Sequence, residues 1–94
     1  MPVIIKRVTI RISGLVQGVS FRYYTKVRAD NLGLAGWARN NLDGSLTIVV
    51  EGEENKLKKL INWVKKGTPS ARVSVIETEW EKPRGEGKFE VRYE

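Results

Sequence analysis

The hydrophobic period of this chain changes several times, and the order of those changes restricts the fold more than any other feature. Val8, Ile10 and Ile12 alternate with Thr9, Arg11 and Ser13, the period of a half-buried strand over roughly residues 5–13. A loop bracketed by Gly14 and Gly18 follows. Phe21, Thr25, Ala29 and Leu32 then recur on one helical face, with Gly33 placed to stop the helix. Residues 34–40 read as a second strand. Asn41-Leu42-Asp43-Gly44 is turn chemistry, and beyond it Leu46, Ile48 and Val50 alternate with Thr47, Val49 and Glu51. These two strands are expected to form a hairpin. Leu57, Leu60, Ile61 and Val64 give the clearest helical stripe. Glu53 and Glu54 at its start and Lys65 and Lys66 at its end suit the helix dipole, and Gly67 and Pro69 end it. A fourth strand is predicted over 71–81, with a change of apolar phase between Val75 and Ile76 that points to a bulge. Pro83 to Gly87 turn the chain, and Phe89, Val91 and Tyr93 alternate in a final strand.

The order is β-α-β-β-α-β, the last position being either one strand or a split hairpin. Two right-handed crossovers around a central hairpin place both helices on one face of a four-stranded antiparallel sheet. The fold class is therefore α+β, a ferredoxin-like βαββαβ sandwich. That architecture carries many functions and selects none of them.

Composition removes much of the functional range. The chain has 94 residues, the size of one domain spanning 1–94. It contains no Cys and no His, which excludes thiol nucleophiles, Cys-ligated metals, Ser-His-Asp triads and imidazole acid–base catalysis. Lys and Arg exceed Asp and Glu, 17 against 11, so the charge favours anionic partners. Lys6 and Arg7 interrupt the apolar start after Ile5, too early for a signal-peptide core or a membrane span. The expectation is a cytoplasmic protein with no membrane partner. A single Met, a single Gln and 30% charged residues hint at a thermophilic source.

The stretch Gly14 to Arg22 is the most informative for chemistry. A glycine-bracketed loop between a strand and a helix can turn successive N–H groups toward an anion, and the helix start adds its partial positive charge. Arg22, in the first helical turn, can hold two phosphate oxygens with one guanidinium. The same residues also suit a plain tight turn beside a solvated arginine, and spacing alone does not choose. The loop lacks the Gly-Lys-Ser/Thr of the Walker motif.

Gly14-Leu15-Val16-Gln17-Gly18-Val19-Ser20-Phe21-Arg22 closely resembles the first signature of the acylphosphatase family, G-x-V-Q-G-V-x-F-R. Gly36-Trp37-Ala38-Arg39-Asn40-Asn41-Leu42-Asp43-Gly44 resembles the second, G-W-x-x-N-x-x-D-G. Gly67 to Val73 and Trp80-Glu81 also look like that family, so the resemblance spans nearly the whole chain. It implies the ferredoxin-like fold and hydrolysis of the carboxyl–phosphate anhydride of acyl phosphates, without cofactor or metal. By motif match it places the phosphate-binding arginine at Arg22 and the water-positioning asparagine at Asn40. The amide cradle falls on Leu15, Val16, Gln17, Gly18, Val19 and Ser20. Asn41 adjoins Asn40, but the distance to Asp43-Gly44 favours Asn40. Leu15 stands where relatives often carry Arg or Lys. The resemblance implies a small acyl phosphate as substrate, and we expect a monomer. Similar domains open the hydrogenase-maturation carbamoyltransferases; a chain ending at Glu94 is read instead as a free-standing enzyme.

The chemistry suits these residue types. The leaving carboxylate has a conjugate acid of pKa roughly 4, so it needs little protonation. Phosphoryl transfer needs chiefly positioning and charge neutralisation.

Other features have plainer readings. Ser20 lacks an adjacent base, so a covalent serine is not expected. Glu53, Glu54, Glu77, Glu79 and Glu81 fit a helix start and solvated strand edges rather than a metal site. Lys56, Lys58, Lys59, Lys65 and Lys66 fit a solvated helix face. Trp37, Trp63 and Trp80 are expected to pack, and Tyr23 or Tyr24 to line the site mouth or pack. RNA-binding domains of this architecture carry aromatics on the third strand. Ser45 to Val50 has none, so no specific nucleic-acid partner is expected.

Overall fold

The alternation at Val8, Ile10 and Ile12 builds the central strand, β1 (Ile5–Leu15), with all three side chains fully buried. A computed structural model describes residues 3–93. After β1 come α1 (Phe21–Asn31), β2 (Ala35–Asn40), β3 (Leu46–Glu53), α2 (Glu54–Lys66), β4 (Arg72–Glu81) and β5 (Glu90–Arg92). The sheet order is β4-β1-β3-β2-β5. β1 is antiparallel to β3 and β4, and β2 to β3.

Both helices contribute to one core with the sheet. Leu57, Leu60 and Val64 of α2 and Phe21 and Ala29 of α1 meet Val8, Ile10, Ile12, Leu46, Ile48 and Val50. Each fully buried side chain of this kind contributes about 1.5–3 kcal/mol, so the apolar stripe of α2 holds it to the sheet although the rest of its sequence is polar. α1 ends in a Schellman pair: Leu34 N–H donates to Ala29 C=O (2.9 Å) and Gly33 N–H to Asp30 C=O (3.1 Å). Among the described residues no helix is long and apolar enough to cross a membrane.

Three details differ from the sequence expectation. First, the sheet has five strands: β5 lies parallel to β2, Trp37 opposite Glu90 and Arg39 opposite Arg92, rather than forming a hairpin with β4. β4 and β5 occupy opposite edges, so the segment after β4 crosses the face of the sheet that the helices leave open before Phe89 returns to the core. Second, Val49 and Glu51, which simple alternation gives to solvent, are buried at 3% and 6% exposure; for Glu51 the reason is this crossover, whose backbone at 84–86 donates to its carboxylate. Third, the irregularity in β4 falls one residue early. Ser13 pairs with Val75 but Gly14 with Val73, leaving Ser74 as the extra residue.

Candidate active site

The loop after β1, the first turn of α1, the end of β2 and the residues after Glu90 meet at one place. Together they line a cavity of about 360 Å³. Arg22 and Asn40, distant in sequence, both face it.

The loop contributes Val16, Gly18 and Ser20 to the lining. Gly18 (φ 74°) and Ser20 (φ 59°) are both left-handed, and left-handed residues interspersed in a turn are what gather N–H groups into an anion-binding concavity. No hydrogen bond among the described residues occupies the backbone N–H groups of 16–20. Ser20 is the N-cap of α1, yet its side chain makes no capping bond. The helix start therefore faces the cavity with its partial positive charge unanswered by a side chain.

Leu15, Gln17 and Val19 are not lining residues. Leu15 ends β1 opposite Arg72, with its side chain 56% exposed. Val19 packs against the core. Gln17 Nε2 donates to the carbonyls of Asn41 (2.7 Å) and Ser45 (2.9 Å), which fastens the loop to the β2–β3 turn. That tie fixes the loop relative to Asn40, one residue before Asn41.

Arg22 is half-buried. One of its terminal nitrogens donates to the Arg92 carbonyl (2.8 Å), and its guanidinium lies 4.7 Å from the Tyr93 ring centre. The contact fixes one side of the planar fork, and the remaining donors are suited to an oxyanion. Asn40 Oδ1 is buried and has no partner among the described residues. A buried amide oxygen left without a donor costs free energy, and orphaned acceptors of this kind mark places where a water or ligand belongs.

Tyr23 lines the cavity, whereas Tyr24 does not and meets the Tyr23 ring edge-on (5.5 Å). Sequence reading missed Val91 and Tyr93 as lining residues. The Phe89-Val91-Tyr93 alternation was the available signal, but its value depended on knowing that β5 joins β2. Trp63 packs on Phe21 at 5.5 Å, while Trp37 lies under the guanidinium groups of Arg39 and Arg92 on the open face. Among the described residues no group of three or more acidic side chains is arranged to hold a metal ion.

The arrangement can hold a tetrahedral oxyanion against backbone amides and a guanidinium, with a hydrogen-bond acceptor beside it for a water. Comparison with known proteins points the same way. The acylphosphatase family model matches residues 8–91. The acylphosphatase of Thermococcus kodakarensis is 44% identical over 85 residues, covering 90% of this chain and 93% of the relative. That of Rubrobacter xylanophilus is 47% identical, covering 93% and 80%. The crystal structure of the Bacillus subtilis acylphosphatase superposes with a TM-score of 0.90 at 36% identity, covering 96% of this chain and all of the other. The same fold forms 12% of full-length HypF, with a TM-score of 0.90 and 31% identity. With a family match over most of its length and relatives at 44% and 47% identity, the chain belongs to the acylphosphatase family.

Proposed function

We propose that Arg22, Asn40 and the 15–20 loop carry the family's reaction in this chain, hydrolysis of an acyl phosphate to a carboxylate and inorganic phosphate. The observation that carries the assignment is the unpartnered, buried Oδ1 of Asn40 in the same cavity as Arg22.

The phosphoryl group sits against the N–H groups of the loop and the start of α1. Arg22 neutralises charge on its equatorial oxygens, where it accumulates in the transition state. A water donates one hydrogen bond to Asn40 Oδ1 and is held in line with the scissile P–O bond. An amide oxygen is too weak a base to take the proton, so Asn40 orients the water and does not deprotonate it. The proton passes to a phosphate oxygen of the substrate or to solvent. The P–O bond breaks with its electron pair on the departing carboxylate, which needs no general acid. No step calls for a metal ion.

On the same reading the enzyme is a monomer in the cytoplasm. Support for the first comes from Glu77, Glu79 and Glu81 along edge strand β4, since like charges oppose edge-to-edge pairing with a second copy. Support for the second is a cysteine-free sequence that makes no use of an oxidising compartment.

The test is hydrolysis of a simple aromatic acyl phosphate in EDTA, with Arg22→Ala and Asn40→Ala as paired variants. Rapid turnover by the parent chain, lost in both folded variants, is the expected result. Turnover that vanishes in EDTA and returns with a divalent cation overturns the metal-free mechanism. Full activity in either variant removes that residue from it.

A further inference from the structure

β5 is three residues long, lies at a sheet edge, and yet supplies the carbonyl that holds Arg22. So short an edge strand has little pairing of its own to fix it. Its position depends on what anchors the crossover leading into it.

That anchor is an ionic clasp on the open face of the sheet. Glu51 of β3 is paired in register with Arg7 of β1 and Ala35 of β2. Its carboxylate accepts the backbone N–H groups of Arg84 (2.6 Å), Gly85 (3.0 Å) and Glu86 (2.9 Å), and one terminal nitrogen of Arg7 (2.8 Å). The same Arg7 nitrogen donates to Glu86 (2.7 Å). Glu51 and Arg7 are nearly fully buried. A buried carboxylate is costly unless its lone pairs are filled. Here they are filled by three successive amides of one loop, which fixes that loop's path over the sheet.

The path continues without a break toward the site. Gly87 C=O accepts from Gly36 N–H (3.1 Å), Lys88 bridges to Ala35, and Glu90, Val91 and Arg92 pair with β2. Phe89, 2% exposed, is a second anchor in the core, and Lys26 donates to its carbonyl (3.2 Å). One anchor fixes a point, and two fix the line along which β5 runs. At the end of that line the Arg92 carbonyl and the Tyr93 ring hold the Arg22 guanidinium.

We propose that Glu51, held by Arg7, is a positioning residue for Arg22: it fixes the crossover that sets β5 and, through the Arg92 carbonyl, the orientation of the phosphate-binding guanidinium. The proposal rests on Arg22 being the phosphate ligand. Glu51 is on the opposite face of the sheet from the reaction and touches no substrate. Its effect reaches the site along β5, and since the Arg92 carbonyl and the Tyr93 ring are what hold Arg22, the change in phosphate affinity should run chiefly through that guanidinium.

The experiment compares the parent chain, Glu51→Gln, Arg22→Ala and the double variant for KM and kcat on an aromatic acyl phosphate, for the Ki of inorganic phosphate, and for Tm. Displacement of a binding group by an ångström can cost up to about 10²-fold, so Glu51→Gln should raise KM and the phosphate Ki about tenfold. In the Arg22→Ala background, where phosphate binding is read by direct titration because turnover is near background, the same change should leave the phosphate affinity where Arg22→Ala alone put it. A purely structural glutamate gives a lower Tm with Ki unmoved, and that result overturns the proposal. An Arg22→Ala protein that binds phosphate as the parent does overturns the underlying reading and this one together. A strong Arg22→Ala effect with no Glu51→Gln effect overturns this one alone. Should Glu51→Gln fail to fold, Glu86→Gln at the clasp's half-exposed rim carries the test, with a Ki rise of about two- to threefold as the expected result and an unmoved Ki as the overturning one.

Discussion

Asn40 and Asn41 are neighbours in sequence with opposite fates in the structure. Asn41 Nδ2 donates to Ser45 Oγ (2.9 Å) and Thr47 Oγ1 (2.8 Å), which knits the β2–β3 turn. Asn40 presents a buried Oδ1 with no partner among the described residues to the cavity that holds Arg22. One asparagine is spent on structure, and the other is the one we propose holds a water. Asn40→Ala should therefore reduce kcat by about 10²–10³ with little change in Tm, since it removes an unsatisfied group. Asn41→Ala should keep kcat within a few-fold and lose about 1–3 kcal/mol of stability. Side-by-side kinetics and thermal melts check both, and the reverse pattern would exchange their roles.

Arg22 should tolerate no replacement. Arginines at a transferring phosphoryl group are worth about 10³–10⁵ in rate, so Arg22→Ala should approach background hydrolysis and bind phosphate much more weakly. Arg22→Lys should fail nearly as badly. An ammonium cannot both donate to the Arg92 carbonyl and present a planar pair of donors to the phosphoryl oxygens. A lysine variant with more than about a tenth of parent activity would show that charge, not the fork, is what matters.

What could be read from sequence follows from how local its cause is. Val8, Ile10 and Ile12, the α2 stripe and the Asn41–Gly44 turn each declare themselves within a few residues, and the structure places them as expected. Arg22 and Asn40 could be proposed from sequence because both sit in short signatures, and the fold brings the two to one cavity. Glu51 was not legible. Alternation along β3 gives it to solvent, and only the crossover at 84–86, some thirty residues later in the chain, buries it. Tyr93 was missed as a site residue for the same reason: strand partner choice is non-local, and three residues of β5 carry too little pattern to announce pairing with β2 rather than β4.

Glu51 should also contribute to acid stability. Burial pushes its carboxyl up, but the N–H groups of Glu86 and Arg84, the Arg7 guanidinium and the Gly85 N–H outweigh burial and bring it down from 4.5 to about 2. A carboxyl lowered in the folded state stabilises above its unfolded pKa, and that contribution is lost as pH falls through the folded value. The Glu51 contribution should be intact above pH 4.5 and fade between there and about pH 2. Glu51→Gln should be less stable at neutral pH and show a shallower acid limb across that window. Parallel acid-denaturation curves for the two proteins would remove Glu51 as a source of the pH dependence.

Two glycines should separate packing from loop geometry. A Cβ on Gly36 would lie 1.8 Å from the Val49 carbonyl oxygen, in backbone that cannot yield without parting β2 from β3. Gly36→Ala should therefore cost more than about 4 kcal/mol and leave little folded protein. Gly18 has open space around its missing Cβ, but its φ of 74° is left-handed. Gly18→Ala should fold with a penalty of about 1–2 kcal/mol. Any relaxation of that strain turns the loop N–H groups away from the phosphate, so its phosphate Ki should rise while its core stays intact. Urea titration and phosphate inhibition of both variants check the contrast. A Gly18→Ala protein with unchanged Ki would mean that the loop's left-handed geometry is dispensable, and would leave Arg22 as the principal phosphate ligand.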